Sequence, residues 1–181
     1  MTGERRALVA GCVLLLGVSG AAIGLHGRGI PGAEIWLRWT AQSSFAVFLT
    51  AFIAPLAERS SAGIRRVALP LLAVSHTLHL AAIIWLALLS DGENIAARAN
   101  VVLLGSGVVA YSAIYFLASR PAHPRADLGL VWLWIVFSGA YLPRVQAEPA
   151  AFGLAGVLLL LSLLVRLPGL WKTIRPSSPT P

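Results

Sequence analysis

The amino-acid sequence predicts an all-α membrane protein, an integral bundle of six transmembrane helices with both termini in the cytoplasm. The first observation is composition: of the 181 residues, 57% are hydrophobic and 12% are charged, and the mean hydropathy is +0.80. Soluble domains carry about 25% charged residues. Secondly, the charged residues are gathered between apolar runs of about 20 residues, the length that crosses a bilayer. Thirdly, Lys and Arg are distributed unevenly between the two sides. Together these observations indicate one compact transmembrane domain over residues 1–170.

Six apolar runs have the length of a membrane span, and Gly, Pro or charged residues bound each of them. The predicted spans are 7–25, 36–56, 67–90, 101–119, 128–145 and 149–167. The first run follows a basic start, as in a signal peptide, but it is longer than a usual signal core, and we expect it to be retained. The predicted loops are 26–34, 58–66, 91–100 and 120–127. Residues 171–181 are polar and rich in Pro and Ser, which predicts a disordered tail.

The second span has a polar first half, followed by phenylalanines at helical spacing, Phe45, Phe48 and Phe52. That spacing predicts a packing face, and we expect the polar residues to face a cavity or to bond to neighbouring helices. Cys12 is the only cysteine of the chain, which excludes an internal disulfide and a CxxC metal site.

The distribution of Lys and Arg predicts the orientation of the bundle. With six spans, ten of the 14 Lys and Arg residues lie on one side of the membrane and four on the other. Because cytoplasmic loops carry the excess of these residues, both termini are predicted to be cytoplasmic. The same bias accounts for the net charge of +7. The sequence has no basic stripe interleaved with aromatic residues, so it does not indicate nucleic acid as a partner. The expected partner is the lipid bilayer, and the expected location is a cell (inner) membrane.

Two histidines, His76 and His79, lie in the middle of the third span. Ionisable groups at this depth are costly, which makes them candidates for function. Three residues on a helix correspond to about 60° of rotation and about 4.5 Å of rise, so the two imidazoles point the same way, one turn apart. Neutral imidazole is the commonest metal ligand in proteins. Both residues are therefore candidate ligands of a haem iron or of a small metal ion.

Three interpretations of this pair are open. If a haem is bound, the two histidines cannot both ligate one iron, because axial ligands approach from opposite faces of the macrocycle. The second ligand must then be a residue of another type, a histidine of a predicted loop (His26 or His123), or a residue of the same helix in another protomer. A small metal or proton permease would use both histidines. Alternatively, both are buried polar groups that hydrogen-bond to Ser75, Thr77, Tyr111 or Tyr115.

Motifs in three spans carry a family resemblance. The second span ends in Pro-Leu at 55–56, and the third opens with Arg65 and Arg66, followed after twelve residues by His79. The fifth opens with a Leu-Gly-x-x-Trp pattern at 128–132. These features resemble the ferric-reductase-like transmembrane family, which includes the membrane haem subunit of the bacterial methionine sulfoxide reductase system. The resemblance covers roughly residues 36–145.

The resemblance implies a membrane b-type haem protein that passes electrons across the bilayer. His79 matches the family's haem ligand, and His76 would be a neighbouring donor or a ligand to another iron. The chain has no flavin or nicotinamide domain, so a separate redox partner, or a homo-oligomer, is expected. Val136 stands where the family has its fifth-helix haem ligand. Because of that departure, an alternative interpretation stays open: a non-enzymatic membrane subunit that retained the bundle and lost haem. Whether the protein is an enzyme is therefore also open.

Overall fold

The computed structural model describes residues 2–54, 59–90, 101–121 and 126–174. Within these ranges the chain folds into helices and contains no strand, which confirms the predicted all-α class. The helices are α1 (Gly3–His26), α2 (Ile30–Ile53), α3 (Arg59–Leu89), α4 (Val101–Ser119), α5 (Ala126–Ala147) and α6 (Pro149–Ile174).

Four of these helices contain segments that are long and apolar enough to cross a membrane. The segments are Gly3–His26, Gly63–Leu89, Ala126–Ala147 and Pro149–Pro168. In α4, Gly107–Ser119 is a shorter apolar helix. By length and composition, the chain is therefore a helical membrane protein.

The core lies where α2 and α3 meet α4, α5 and α6. The phenylalanine face predicted for α2 is confirmed, because Phe48 and Phe52 are completely buried and Phe45 is nearly so. Phe48 stacks on Phe137 of α5 with ring centroids 4.5 Å apart, and Phe45 stacks on Tyr141 at the same distance. Such aromatic pairs add about 0.5–1.5 kcal/mol each to the burial of their surface. They fix α2 against α5 close to the histidine pair.

The exterior of the bundle is apolar. α1 buries only Leu15, Ser19 and Ala22, and it turns residues such as Val13 and Leu14 outward. α6 likewise exposes a row of leucines and valines. Soluble monomers rarely expose contiguous apolar patches of more than a few hundred Å². An exterior of this kind is suited to contact with lipid.

The loop predicted over 26–34 is wrong in length. α1 continues through His26, and α2 begins at Ile30, with Pro31 in its first turn. Gly27 has φ +81°, a backbone conformation that favours glycine, and a Cβ on Gly32 would overlap the carbonyl oxygen of Gly27. Glycine at these two positions therefore allows α1 and α2 to form a tight hairpin.

Helix ends also differ from the prediction at the opposite end of the bundle. α3 begins at Arg59, inside the predicted loop 58–66, and α5 begins at Ala126. α6 continues through Ile174, past the predicted start of the tail. Residues 175–181, the predicted loop 91–100 and residues 122–125 lie outside the described residues. Near these ends, Arg65, Asp127 and Arg166 form bonds between helices.

Candidate functional site

The histidine pair lies on the face of α3 that meets α2, α4 and α5. The ring centroids of His76 and His79 are 5.8 Å apart, with 42° between the ring planes. The expected one-turn stacking is confirmed. Both side chains are partly buried. Each ring has different neighbours, and these neighbours decide what each imidazole can do.

His79 is held by Thr40 of α2. The hydroxyl oxygen of Thr40 lies 3.2 Å from Nδ1 of His79 and 2.8 Å from the carbonyl oxygen of Trp36. Because the single hydroxyl proton is directed to that carbonyl, the hydroxyl oxygen can accept a hydrogen bond from His79 in the tautomer that carries its proton on Nδ1. The Nε2 nitrogen then keeps its lone pair. An imidazole whose Nδ1–H is bonded in this way has the tautomer and the orientation of a metal ligand.

His76 has no such partner. Its Nδ1 atom is buried and lacks a hydrogen bond to any residue that the structure describes. The ring packs instead among aromatic side chains, with its centroid 5.5 Å from that of Tyr111 and 6.2 Å from that of Phe137. An unpaired buried nitrogen costs about 1–3 kcal/mol. His76 is therefore the less stabilised member of the pair.

The hydrogen-bond partners expected for the histidines bond elsewhere. Ser75 is paired with Ser44 at 3.2 Å. Thr77 donates to the carbonyl of Ala73 and is 2.6 Å from the hydroxyl of Tyr115 and 3.4 Å from that of Tyr111. The prediction that these residues satisfy the imidazoles is wrong, because Thr77 and Tyr115 lie on the outer surface of the helix pair. The sequence signal for Thr40 was its place in the polar half of the second span.

Within the described residues, no other candidate ligand reaches the pair. Val136 of α5 is partly buried against the core cluster. His26 ends α1, where its ring lies edge-on to that of Trp39 at 6.0 Å, and His123 is outside the described residues. Within those residues, no group of three or more His, Cys, Asp or Glu side chains could hold a metal ion. His79 could therefore serve as one ligand of a haem iron. The described part of the chain offers no second imidazole for the other side of the haem.

A second polar centre, not foreseen from the sequence, lies at the end of the bundle where α3 and α5 begin. Asp127 of α5 accepts hydrogen bonds from Arg65 of α3, at 2.9 Å, and from Arg166 of α6. Both arginines also donate to the carbonyl oxygen of Ala54, which follows α2, at 3.0 and 3.2 Å. Arg65 is 1% exposed and Arg166 is 6% exposed. We call these three charged residues the Arg–Asp–Arg cluster.

The sequence places Arg65 and Asp127 in the predicted loops 58–66 and 120–127, and Arg166 near the end of the last predicted span, 149–167. The signal that was available is Arg166, an arginine inside an otherwise aliphatic run of α6. Such a residue needs an internal partner. The partner, Asp127, is 39 positions away in the chain.

In comparisons with known proteins, no family model matches this chain, and no curated protein and no solved structure matches it. The functional conclusion therefore rests on the apolar bundle, the histidine pair and the Arg–Asp–Arg cluster.

Proposed function

We propose that this chain is a multi-pass membrane protein of the ferric-reductase-like type that binds a b-type haem through His79. The observation that carries the proposal is the contact between Thr40 and Nδ1 of His79. It orients the one imidazole that matches the family's ligand and leaves its Nε2 free to bind iron. With a separate redox partner, such a protein passes electrons across the bilayer.

The haem would supply the one-electron redox chemistry. The chain's own residues have simpler tasks. Thr40 fixes the tautomer and the rotation of His79, since its hydroxyl is itself anchored on the Trp36 carbonyl. Phe137 packs against the ring of His76 and stacks on Phe48. These aromatic contacts cover one side of the His76 ring.

We also propose that all six helices cross the membrane and that both termini are cytoplasmic. Glu4, at the start of α1, pairs with Arg66 of α3 at 3.7 Å. Arg166, near the end of α6, meets Asp127 at the start of α5. These contacts support a common side for the two ends of the chain. The excess of Lys and Arg on that side supports the cytoplasm, and hence the inner membrane of a bacterium.

One observation favours a second candidate function, a membrane subunit that kept the bundle without haem. Val136, at the position of the family's other ligand, packs against the core cluster. In this candidate the histidines only contribute to packing and hydrogen bonding.

Absorption spectra of the detergent-purified protein, expressed with ample haem, separate the two candidates. The haem protein is expected to show a Soret band that sharpens on dithionite reduction, and His79→Ala should abolish it or strongly weaken it. Thr40→Val should weaken haem retention about 10- to 100-fold, since that is the usual cost of losing a group that orients a ligand. His76→Ala should have a milder effect.

Two further variants complete the design. His26→Ala removes a histidine at the end of α1 and should leave the spectrum unchanged. Val136→His supplies an imidazole on α5 and should raise haem occupancy or shift the iron towards six-coordinate, low-spin spectra. If wild type and Val136→His are both colourless, the haem proposal fails and the haem-free subunit takes its place.

A further inference from the structure

The Arg–Asp–Arg cluster has more positive than negative charge. Both guanidinium groups converge on one carboxylate oxygen of Asp127 and on one carbonyl oxygen of Ala54. Arginine is always protonated in proteins, so two positive charges face one negative charge. The cluster has a net charge of +1 in a buried place, where an uncompensated charge costs several kcal/mol.

The two arginines also have donors to spare. Nη1 of Arg65 and Nε of Arg166 are buried and make no hydrogen bond to the residues that the structure describes. Arg166 lies with its guanidinium carbon 5.7 Å from the centre of the Phe52 ring, which supplies attraction but no hydrogen-bond acceptor. Among the residues that the structure describes, the cluster therefore lacks one negative charge and two acceptors. An oxyanion carries both a negative charge and several acceptor oxygens.

The depth of the cluster indicates where that oxyanion comes from. Arg65 lies just before the apolar run 67–90, and Asp127 directly precedes the apolar run 128–145. Arg166 follows the aliphatic stretch of the last run, 149–167. Three apolar segments thus place their charged residue at the same boundary. Phospholipid phosphates lie at such a boundary, next to the hydrocarbon layer.

We propose that the Arg–Asp–Arg cluster is a binding site for a phosphate-type oxyanion, supplied by the headgroup of an anionic phospholipid or by free phosphate. Its oxygens would accept from Nη1 of Arg65 and Nε of Arg166 and neutralise the excess charge. Asp127, whose side chain is 12% exposed, marks the accessible edge of the cluster. The site is separate from the histidine pair, since Arg65 and His76 are about 16 Å apart along α3.

Thermal unfolding of the full chain in detergent tests this proposal. The probes are phosphatidylglycerol, zwitterionic phosphatidylcholine and inorganic phosphate. Ligands that bind the native state stabilise it according to their concentration and dissociation constant. Phosphatidylglycerol should therefore raise the unfolding temperature of the wild type more than phosphatidylcholine does. An effect of phosphatidylglycerol alone assigns the site to a lipid headgroup, whereas an equal effect of inorganic phosphate assigns it to free phosphate.

Variants separate a built site from general surface charge. Arg166→Gln should weaken binding of the effective probe at least tenfold, and so should Arg166→Lys, which keeps the charge but lacks the Nε–H donor. Arg66→Gln is the matched control, because Arg66 is an exposed arginine next to Arg65 in sequence, and it should change binding less than twofold. Asp127→Asn removes the competing carboxylate and should tighten binding several-fold.

The results that overturn the proposal are equally definite. If no probe stabilises the wild type, water satisfies the free donors and the site does not exist. If Arg66→Gln weakens binding as much as Arg166→Gln, the probe reads surface charge only. If Asp127→Asn does not fold, the Arg166→Lys variant alone tests the proposal. If Arg166→Lys binds the probe as tightly as the wild type, a site that uses the Nε–H group of Arg166 is refuted.

Discussion

Asp127→Asn is expected to destabilise the protein more than the loss of either arginine that it binds. In the wild type, one carboxylate attracts two guanidinium groups, which repel each other. Replacing Asp127 removes both attractions and leaves the repulsion. Replacing Arg65 removes one attraction together with the repulsion, and it leaves a neutral pair of Arg166 and Asp127. The ranking follows from the attractions and repulsions among the three charges.

The magnitudes follow from burial and from the bonds lost. Removing one partner of a buried ion pair costs about 3–5 kcal/mol, which we expect for Asp127→Asn. Arg65→Gln removes the bonds of Arg65 to Asp127 and to the Ala54 carbonyl, at 2.9 and 3.0 Å. Because it leaves no unpaired charge, we expect it to lower the free energy of unfolding by about 1–3 kcal/mol. Arg66→Gln breaks only the exposed contact with Glu4 and should stay within about 0.5 kcal/mol of wild type.

Equilibrium unfolding by urea in dodecyl maltoside micelles, followed by circular dichroism, measures these differences. All variants are compared in the same lipid-free micelles, so that no anion compensates for the lost residue. Equal costs for Asp127→Asn and Arg65→Gln would refute the charge argument. A cost for Asp127→Asn as small as that for Arg66→Gln would show that the cluster is not buried in the membrane-embedded protein.

Three further predictions concern topology and packing. A reporter fused after Pro181 should be cytoplasmic and one inserted in 91–100 should be external; an external C-terminus would exclude the six-span topology. Gly27→Ala should lower the free energy of unfolding by roughly 1–2 kcal/mol, because alanine disfavours the positive φ. Gly32→Ala should lower it more, because the added Cβ would overlap the backbone of Gly27. If both variants are as stable as the wild type, the tight hairpin is refuted. Phe48→Ala removes a completely buried ring and should cost about 3–5 kcal/mol; a loss under about 1 kcal/mol would show that the ring is not part of a packed core.

The helical class, the apolar runs and the phenylalanine face were predictable because they depend on local features of the sequence. Hydrophobic length predicts a span, and a period of 3.6 residues predicts a packing face. The relative placement of His76 and His79 was predictable for the same reason, since both belong to one helix. The geometry of an α-helix fixes the relative position of two side chains that are three residues apart.

The hydrogen-bond partners were not predictable, because they come from distant parts of the chain. Thr40 is 39 positions from His79, and Asp127 is 62 positions from Arg65. Without knowledge of which helices are neighbours, the charges at the ends of the spans are typical of solvated loops. Once paired, they are interior groups, and α3 and α5 begin correspondingly earlier than expected.

The position of Arg166 near the end of α6 has a consequence for synthesis of the protein. Arg65 and Asp127 are synthesised first, and Arg166 follows Asp127 by 39 residues. At about 5–20 residues per second, that interval lasts on the order of 2–8 s. During this time Arg65 and Asp127 can form only a one-to-one pair, and the Ala54 carbonyl lacks its second donor. Tertiary assembly at this end of the bundle is therefore completed only after the ribosome has added the last helix.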